Sequence, residues 1–252
     1  MKFIDLNVDI GEGNPNDAEL LNFATSANVC CGVHAGNAEL TAETVDLCKI
    51  KRIRIGAHPG YPDRGSMGRA PLTTEHQREY LSSVLEQIRD FRAEFGGAYV
   101  KPHGAFYNDT AQPIGTGWDS MANHPTANSP YEAGGHALSM FPGTGMLIMA
   151  LRIVKLPLLG LPGTMHEPIA RRAGVAFIRE GFADRAYRED GTLVPRSEAG
   201  AVLSDAREVR AQVLRLANEV DSICLHGDTP DCVEFAEQVY ATLVDAGFEV
   251  RA

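Results

Sequence analysis

The sequence predicts an α/β fold, a parallel sheet with helices outside it, closed into a distorted seven-stranded (β/α) barrel of the TIM type. Three observations predict it. Short apolar runs alternate with segments of helical period along the chain, the order expected when each strand is followed by a helix that returns the chain to the same sheet. Four of those runs stop at a histidine with glycine beside it or two positions away: Cys30-Cys31-Gly32-Val33-His34-Ala35-Gly36, Ile55-Gly56-Ala57-His58-Pro59-Gly60, Val100-Lys101-Pro102-His103-Gly104 and Ile223-Cys224-Leu225-His226-Gly227-Asp228. Finally, 252 residues at 44% hydrophobic content suffice for one large core, so a single domain spans 1–252. Right-handed connections let seven such units close on themselves, with an open doubly wound sheet as the alternative.

The first strand is Phe3–Val8, and a weak helical stretch follows at Asp17–Ala24. Strand two is Asn28–Val33, before a helix at Ala38–Lys51, and strand three is Arg54–Ala57. Tyr80, Leu81, Val84, Leu85, Ile88, Phe91 and Phe95 keep one face of a long helix, for which Thr74 with Gln77 offers a capping box and Gly96-Gly97 a stop. Strand four is Ala98–Lys101. From Gln112 to Gly145 the chain is rich in Gly, Pro, Ser and Asn without a sustained period, and so long a structureless stretch reads as a lid-like flap over the rim or as partial disorder. Strands Leu156–Leu161, Ala176–Arg179 and Ser222–Leu225 complete the set, separated by helices at Met165–Ala173 and Asp205–Glu219. Ala236, Val239, Tyr240, Leu243 and Val244 mark a last helix, with Thr229-Pro230 before it and Gly247 after it.

Composition narrows the function classes. A net charge of −10 argues against a nucleic-acid partner, which draws on clustered Lys and Arg. The N-terminal run carries Asp5 and Asp9 and does not read as a signal sequence, while Arg152, Lys155 and Pro157 interrupt the longest apolar region, Met146–Leu161. A cytoplasmic protein without a membrane segment is expected. Five cysteines without a C-x-x-C pair fit reduced thiols rather than a disulfide framework or a structural zinc cage, with Cys30 and Cys224 as small core residues. There is no P-loop motif.

The chemistry is expected at the strand ends. In parallel α/β folds these ends share one rim, so His34, His58, His103 and His226 are expected to converge there, although each taken singly also fits a hydrogen-bonded structural histidine. His76, His124, His136 and His166 lie elsewhere in the pattern and read as solvent-facing or local. Asp5, Asn7 and Asp9 alternate along strand one, pointing into the interior where they need partners; Asp9 is either a site carboxylate or a turn cap. Lys101 closes strand four, where an ammonium beside imidazole neutralises an oxyanion or phosphoryl oxygen. Asp184 and Arg185 either grip a substrate carboxylate by a forked ion pair or lock their loop to its neighbour.

Taken together, Ile4-Asp5-Leu6-Asn7-Val8-Asp9-Ile10-Gly11-Glu12-Gly13, Ser26-Ala27-Asn28 with Cys31-Gly32-Val33-His34-Ala35-Gly36, Gly56-Ala57-His58-Pro59-Gly60-Tyr61-Pro62-Asp63, Val100-Lys101-Pro102-His103-Gly104-Ala105-Phe106-Tyr107-Asn108, Phe182-Ala183-Asp184-Arg185-Ala186-Tyr187 with Gly191-Thr192-Leu193-Val194-Pro195-Arg196-Ser197, and Cys224-Leu225-His226-Gly227-Asp228 resemble the LamB/YcsF family in its own order. The resemblance implies a seven-stranded barrel of the glycoside hydrolase/deacetylase type. It also implies ATP-dependent ring opening of 5-oxo-L-proline to L-glutamate by a 5-oxoprolinase, with ATP and Mg2+ as cosubstrate and two further subunits as partners; a homo-oligomer is an open alternative. The irregular segment departs from the family's helical connection after strand four.

As expectations, Asp9 or Asp228 with His226 forms the base, His34, His58 and His103 supply acid and oxyanion contacts, and Lys101 with Arg185 neutralises charge. Substrate contacts are expected from Asn7, Glu12, Asn28, Asp63, Tyr107, Glu180, Asp184, Arg185 and Arg196. Two other readings stand beside this one. The same Asp and His residues suit a stand-alone metal-dependent deacetylase or amidohydrolase with a two-His-one-carboxylate set, and a barrel that only presents the lactam to its partners needs no catalysis at all.

Overall fold

A computed structural model describes residues 2–113, 142–196, 198–228 and 231–252. The core of the fold is a parallel sheet whose strands β1 (Lys2–Ile10), β2 (Ser26–Cys30), β3 (Arg54–His58), β4 (Leu158–Gly160), β5 (Phe177–Phe182) and β6 (Ser222–Leu225) run in the order β3-β2-β1-β6-β5-β4. A seventh strand, β7 (Phe248–Val250), pairs with the start of β1. The sheet's two outer strands are joined through the 98–101 segment: Val100 makes a parallel bridge to Ala57 on one side and to Leu158 on the other. The parallel, barrel-like α/β architecture read from the alternation is therefore present.

Side-chain alternation explains why the interior is polar. Ile4, Leu6, Val8 and Ile10 of β1 are buried with Ala27, Val29, Ile223 and Leu225 in one apolar cluster. Their odd-numbered neighbours Asp5, Asn7 and Asp9 take the other face, in register with Ser26, Asn28, Ser222 and Cys224. Asp5, Asn7 and Asp9 each find a partner, as the cost of an unpaired buried polar group requires. Arg54 pairs with Asp5 at 3.0 Å, and Ser26 and Ser222 donate to the same carboxylate. Gly56 is required on this inner face, because a Cβ there would lie 2.2 Å from the Tyr99 ring.

Helices α1 (Asp17–Leu20), α2 (Ala38–Lys51), α3 (Gln77–Phe95), α4 (Gly104–Thr110), α5 (Pro142–Val154), α6 (His166–Ala173), α7 (Ala206–Leu216) and α8 (Cys232–Asp245) fill the connections. Asn37 caps α2 by accepting from the Leu40 amide at 2.8 Å, and Asp205 caps α7 in the same way. Helix α3 buries Leu81, Val84, Ile88 and Phe91, the stripe its period predicts. Burial of each such side chain contributes about 1.5–3 kcal/mol. Leu81, Val84 and Ile88 join Leu147, Leu151, Val100 and Leu158 in a second cluster, while Phe91 packs into the first.

Several boundaries differ from the sequence reading. Strand two stops at Cys30, so Cys31–Val33 enter the loop that carries His34. The 98–101 segment contributes bridges at Val100 rather than a full strand. Strand five runs on to Phe182, past the expected end at Arg179, which places Glu180 inside the sheet. Helix α3 begins at Gln77 with no side-chain cap, so Thr74 does not cap it, but Gly96 ends it at φ +87°. Helix α4 and strand β7 carry no strong period and stand outside the predicted set. Of the expected flap, residues 114–141 lie outside the described residues, as do Ser197, Thr229, Pro230, His124 and His136. Among the described residues, no helix is long and apolar enough to cross a membrane.

Candidate active site

The strand ends open into a cavity of about 640 Å³. Its floor is built on β1. Asp9 Oδ1 accepts from Lys101 Nζ at 2.8 Å and from Asn28 Nδ2 at 2.7 Å. The same ammonium lies 2.8 Å from Glu180 Oε1 and 3.0 Å from Cys224 Sγ, so a wholly buried lysine is held between two carboxylates. Burial raises the Asp9 carboxyl, but His58 and Lys101 outweigh it and hold the group well below the usual carboxylate range. Glu180 is raised by burial against the pull of Lys101. Two neighbouring carboxyls are thus pushed apart in acidity by their surroundings.

One wall is histidine. The His34 and His103 rings stack with centroids 3.9 Å apart, and His58 meets His103 edge-on at 4.8 Å. His58 Nδ1 lies 2.8 Å from the Lys101 carbonyl, and His103 Nε2 lies 2.9 Å from the Met67 carbonyl. A carbonyl only accepts, so both of those nitrogens carry the proton. Glu12 reaches His34 and His103, each at 3.3 Å, and although burial raises it, His34 and His103 bring it down to about 2. Burial lowers His34, yet Cys30 and Glu12 lift it to about 9. His103 falls well below the histidine range through burial and the neighbouring His34 and His58. Gly60 makes room for the stack, since a Cβ there would sit 2.5 Å from His34 Nδ1.

Opposite stands His226, whose Nδ1 donates to Asp184 at 2.8 Å and whose ring stacks on Phe182. The Asp184 carboxylate fixes the tautomer and leaves Nε2 for chemistry. Tyr107 donates to Glu180 at 3.0 Å. At the mouth, Arg69 and Arg196 both donate to Asp228 Oδ2, at 2.9 and 2.8 Å. Two guanidinium groups sharing one carboxylate leave a surplus positive charge beside the opening.

The structure brings His34, His58, His103, His226, Asp9, Glu12 and Lys101 together at one rim. It corrects several of the expected contacts. Asn7, Asn28 and Glu180 are wholly buried and lie beneath the cavity lining, tied to Ser222, Asp9, Tyr99 and Tyr107. His34 stands behind His103 rather than on the cavity surface. Asp63 caps the short helix Arg64–Ser66 by accepting from the Ser66 amide and hydroxyl and does not line the cavity. Arg185 lines the cavity and donates to the Ala201 and Val194 carbonyls, which fits the loop-locking alternative of the two readings. Asp228 serves the two arginines, and the carboxylate on His226 is Asp184. His166 is buried against Thr110 and the Leu161 amide rather than solvent-facing.

Arg69 and Asp109 line the cavity and are not among the residues the sequence singles out; neither stands where an apolar run ends, the signal that marks the histidines.

Two groups of donors have the composition of a metal centre. Glu12, His58 and His103 each bring a ligand atom within 4.8 Å of the others, as do Asp9, Cys224 and His226. The Lys101 ammonium, in contact with Asp9 and Cys224, already occupies the second position.

Comparison with known proteins agrees with the motifs. The profile described as the LamB/YcsF family matches residues 4–115 and 145–252. Relatives named as the A subunit of 5-oxoprolinase align end to end; that of Haemophilus influenzae (strain PittGG) is 36% identical over 271 residues, with both chains covered completely. The protein of that name from Pyrococcus furiosus is 35% identical over 270 residues, covering 98% of this chain and 96% of the relative. The crystal structure of the lactam utilization protein from Thermus thermophilus superposes with a TM-score of 0.74 at 31% identity, covering both chains fully. A family profile across both halves and relatives matched over their whole length lead to one conclusion: the chain belongs to the LamB/YcsF family.

Proposed function

We propose that this chain is the A subunit of a 5-oxoprolinase, which opens 5-oxo-L-proline to L-glutamate with consumption of ATP in a complex with two further subunits. The observation that carries the reading is the end-to-end match to relatives of that name. The cavity is compatible with it: a small acidic lactam needs a cationic mouth for its carboxylate and proton carriers deeper in for its amide, and Arg69, Arg196, Asp9 and His226 line it. The seven-unit closure through Val100 supports kinship with barrels of the glycoside hydrolase/deacetylase type.

An unstrained lactam resists hydrolysis because its carbonyl is resonance-stabilised and its nitrogen leaves poorly. ATP, with Mg2+, supplies the phosphoryl group that makes the lactam carbon electrophilic. Asp9, held ionised, takes a proton from the attacking water. His226, paired with Asp184, returns one to the ring nitrogen as the C–N bond breaks. Overall two waters are consumed, one for the ring and one for the phosphoryl group, giving glutamate, ADP and phosphate. The lining does not fit a triphosphate: Asp9, Glu12, Asp109 and Asp228 face the same space, and Lys101 is already paired. We therefore assign the nucleotide's polyphosphate to the assembled complex.

A coupled ADP-release assay with 5-oxoproline, with and without the partner proteins, tests the reading. Lactam-stimulated ADP release that requires this chain supports it. Amide cleavage without ATP by the chain alone favours the second reading, a metal-dependent amidohydrolase, to which the convergence of Glu12, His58 and His103 lends weight. Lactam binding with undiminished complex turnover after loss of His103 indicates that the chain only presents the lactam to its partners.

A further inference from the structure

We infer that Glu12, His58 and His103 form a binding site for one divalent first-row transition-metal ion of the zinc class. His58 donates through Nδ1 to the Lys101 carbonyl, and His103 donates through Nε2 to the Met67 carbonyl. In the neutral rings this leaves His58 Nε2 and His103 Nδ1 as lone pairs, and those two atoms face each other at 2.9 Å. One carboxylate closes on the same point: Glu12 Oε1 is 3.3 Å from His103 Nδ1 and 3.9 Å from His58 Nε2. Two imidazole lone pairs facing each other beside a carboxylate oxygen, with no proton between the rings, repel one another unless a cation sits among them.

The spacing suits an ion. Metal–nitrogen and metal–oxygen bonds of about 2.0–2.2 Å in a tetrahedron put neighbouring ligand atoms about 3.3–3.6 Å apart, within the observed spread. The outer partners suit it as well, because a ligating histidine ordinarily gives its other N–H to a carbonyl or carboxylate. Both rings do so here, and His34 Nε2 lies 3.3 Å from Glu12 as a further orienting contact. Two imidazoles with one carboxylate suit zinc, cobalt, manganese or iron better than calcium or magnesium. All three ligand residues line the cavity, so a bound ion would face that space, where a Lewis acid polarises a carbonyl oxygen. The site follows from this chain's own donors and holds whichever reaction the cavity performs.

Titration of metal-stripped, untagged full-length chain with Co2+ and with Zn2+ tests the inference. One equivalent of Co2+ with visible d–d bands of a four- or five-coordinate ion is expected, displaced by Zn2+. His103→Ala and Glu12→Gln are expected to weaken Zn2+ affinity by at least about tenfold and His34→Ala by about 10–100-fold, whereas His226→Ala keeps it. Should the variants fold poorly, the 15N resonances of wild-type His58 Nε2 and His103 Nδ1 report directly, shifting together on Zn2+ addition. A chain that stays metal-free at micromolar Zn2+, with those resonances showing a shared proton, overturns the inference. So does binding that survives loss of both His58 and His103.

Discussion

Lys101 Nζ lies 2.8 Å from Asp9 Oδ1 at the cavity floor, and the lysine is all but inaccessible to water. Removing one partner of such a buried pair leaves a charge with no compensation, which costs about 3–5 kcal/mol. Lys101→Met leaves Asp9 and Glu180 facing each other without their shared cation. Equilibrium unfolding in urea is expected to show a loss of that size, with Glu180→Gln in the same chain recovering part of it.

Turnover should depend on the histidine wall more than stability does. Proton transfer by a positioned side chain contributes about 10²–10⁴-fold. Asp9→Asn is expected to reduce kcat of the reconstituted reaction by that factor, and His103→Ala, which opens the wall that orients His58 and Glu12, by a comparable factor, while circular dichroism stays native. Near-normal rates in both variants remove these residues from the chemistry.

Glu12 sets an acid limit. Its pKa falls from 4.5 to about 2 on folding, so the unfolded chain binds the proton more readily. The folded state is therefore favoured above about pH 4.5, and this contribution disappears as the pH falls toward 2, on the order of 3 kcal/mol in all. Urea midpoints measured from pH 6 down to pH 2.5 should drop, and Glu12→Gln should flatten the slope. His34 runs the other way. Raised from 6.5 to about 9, it stabilises fully below pH 6.5 and progressively less as the pH climbs through 9, as a parallel alkaline series would record.

Specificity for an acidic substrate is expected to reside at the mouth. Arg69 and Arg196 share Asp228 Oδ2, and a planar guanidinium grips a carboxylate in a way that an ammonium does not. Arg196→Lys should raise KM for 5-oxoproline by about 10-fold with kcat little changed, and Arg196→Met by more. Equal losses in kcat and kcat/KM instead place the arginine at the reacting atoms.

How much of the fold and site is legible in the sequence depends on whether the signal is local. His34, His58, His103 and His226 follow apolar runs, and parallel topology then carries all four to one rim, so pattern and packing agree. Arg69 sits in a loop between β3 and α3, where nothing local distinguishes it from a surface arginine. The Lys101–Glu180 pair is hidden because β5 runs beyond the apolar stretch that marks it, and a strand's polar end has no periodic signature. Asn7 and Asn28 read as substrate contacts because they flank the motif residues. Alternation alone does not say how deep in the barrel a side chain sits, and both lie one layer too low. Strand β7, only three residues long, is shorter than any periodicity resolves.

The seam at Val100 has a mechanical consequence. Every other neighbouring pair around the ring shares a ladder of three to five registered residues; the 98–101 segment is laced to β3 by backbone hydrogen bonds at Ala98, Tyr99 and Lys101, but it meets β4 only through Val100, which bonds to Pro157 and Leu159. Lys101 and His103 follow Val100 directly and their own amides bond to Ala57 and Pro59, so the site's buried cation and its central imidazole move with β3 and are only lightly tied to β4. Amide deuteration should therefore enter at Val100 and Leu159 sooner than at Leu6 or Val8, and breathing along that one seam, rather than loosening of the whole scaffold, changes the spacing between the histidine wall and the far side of the cavity.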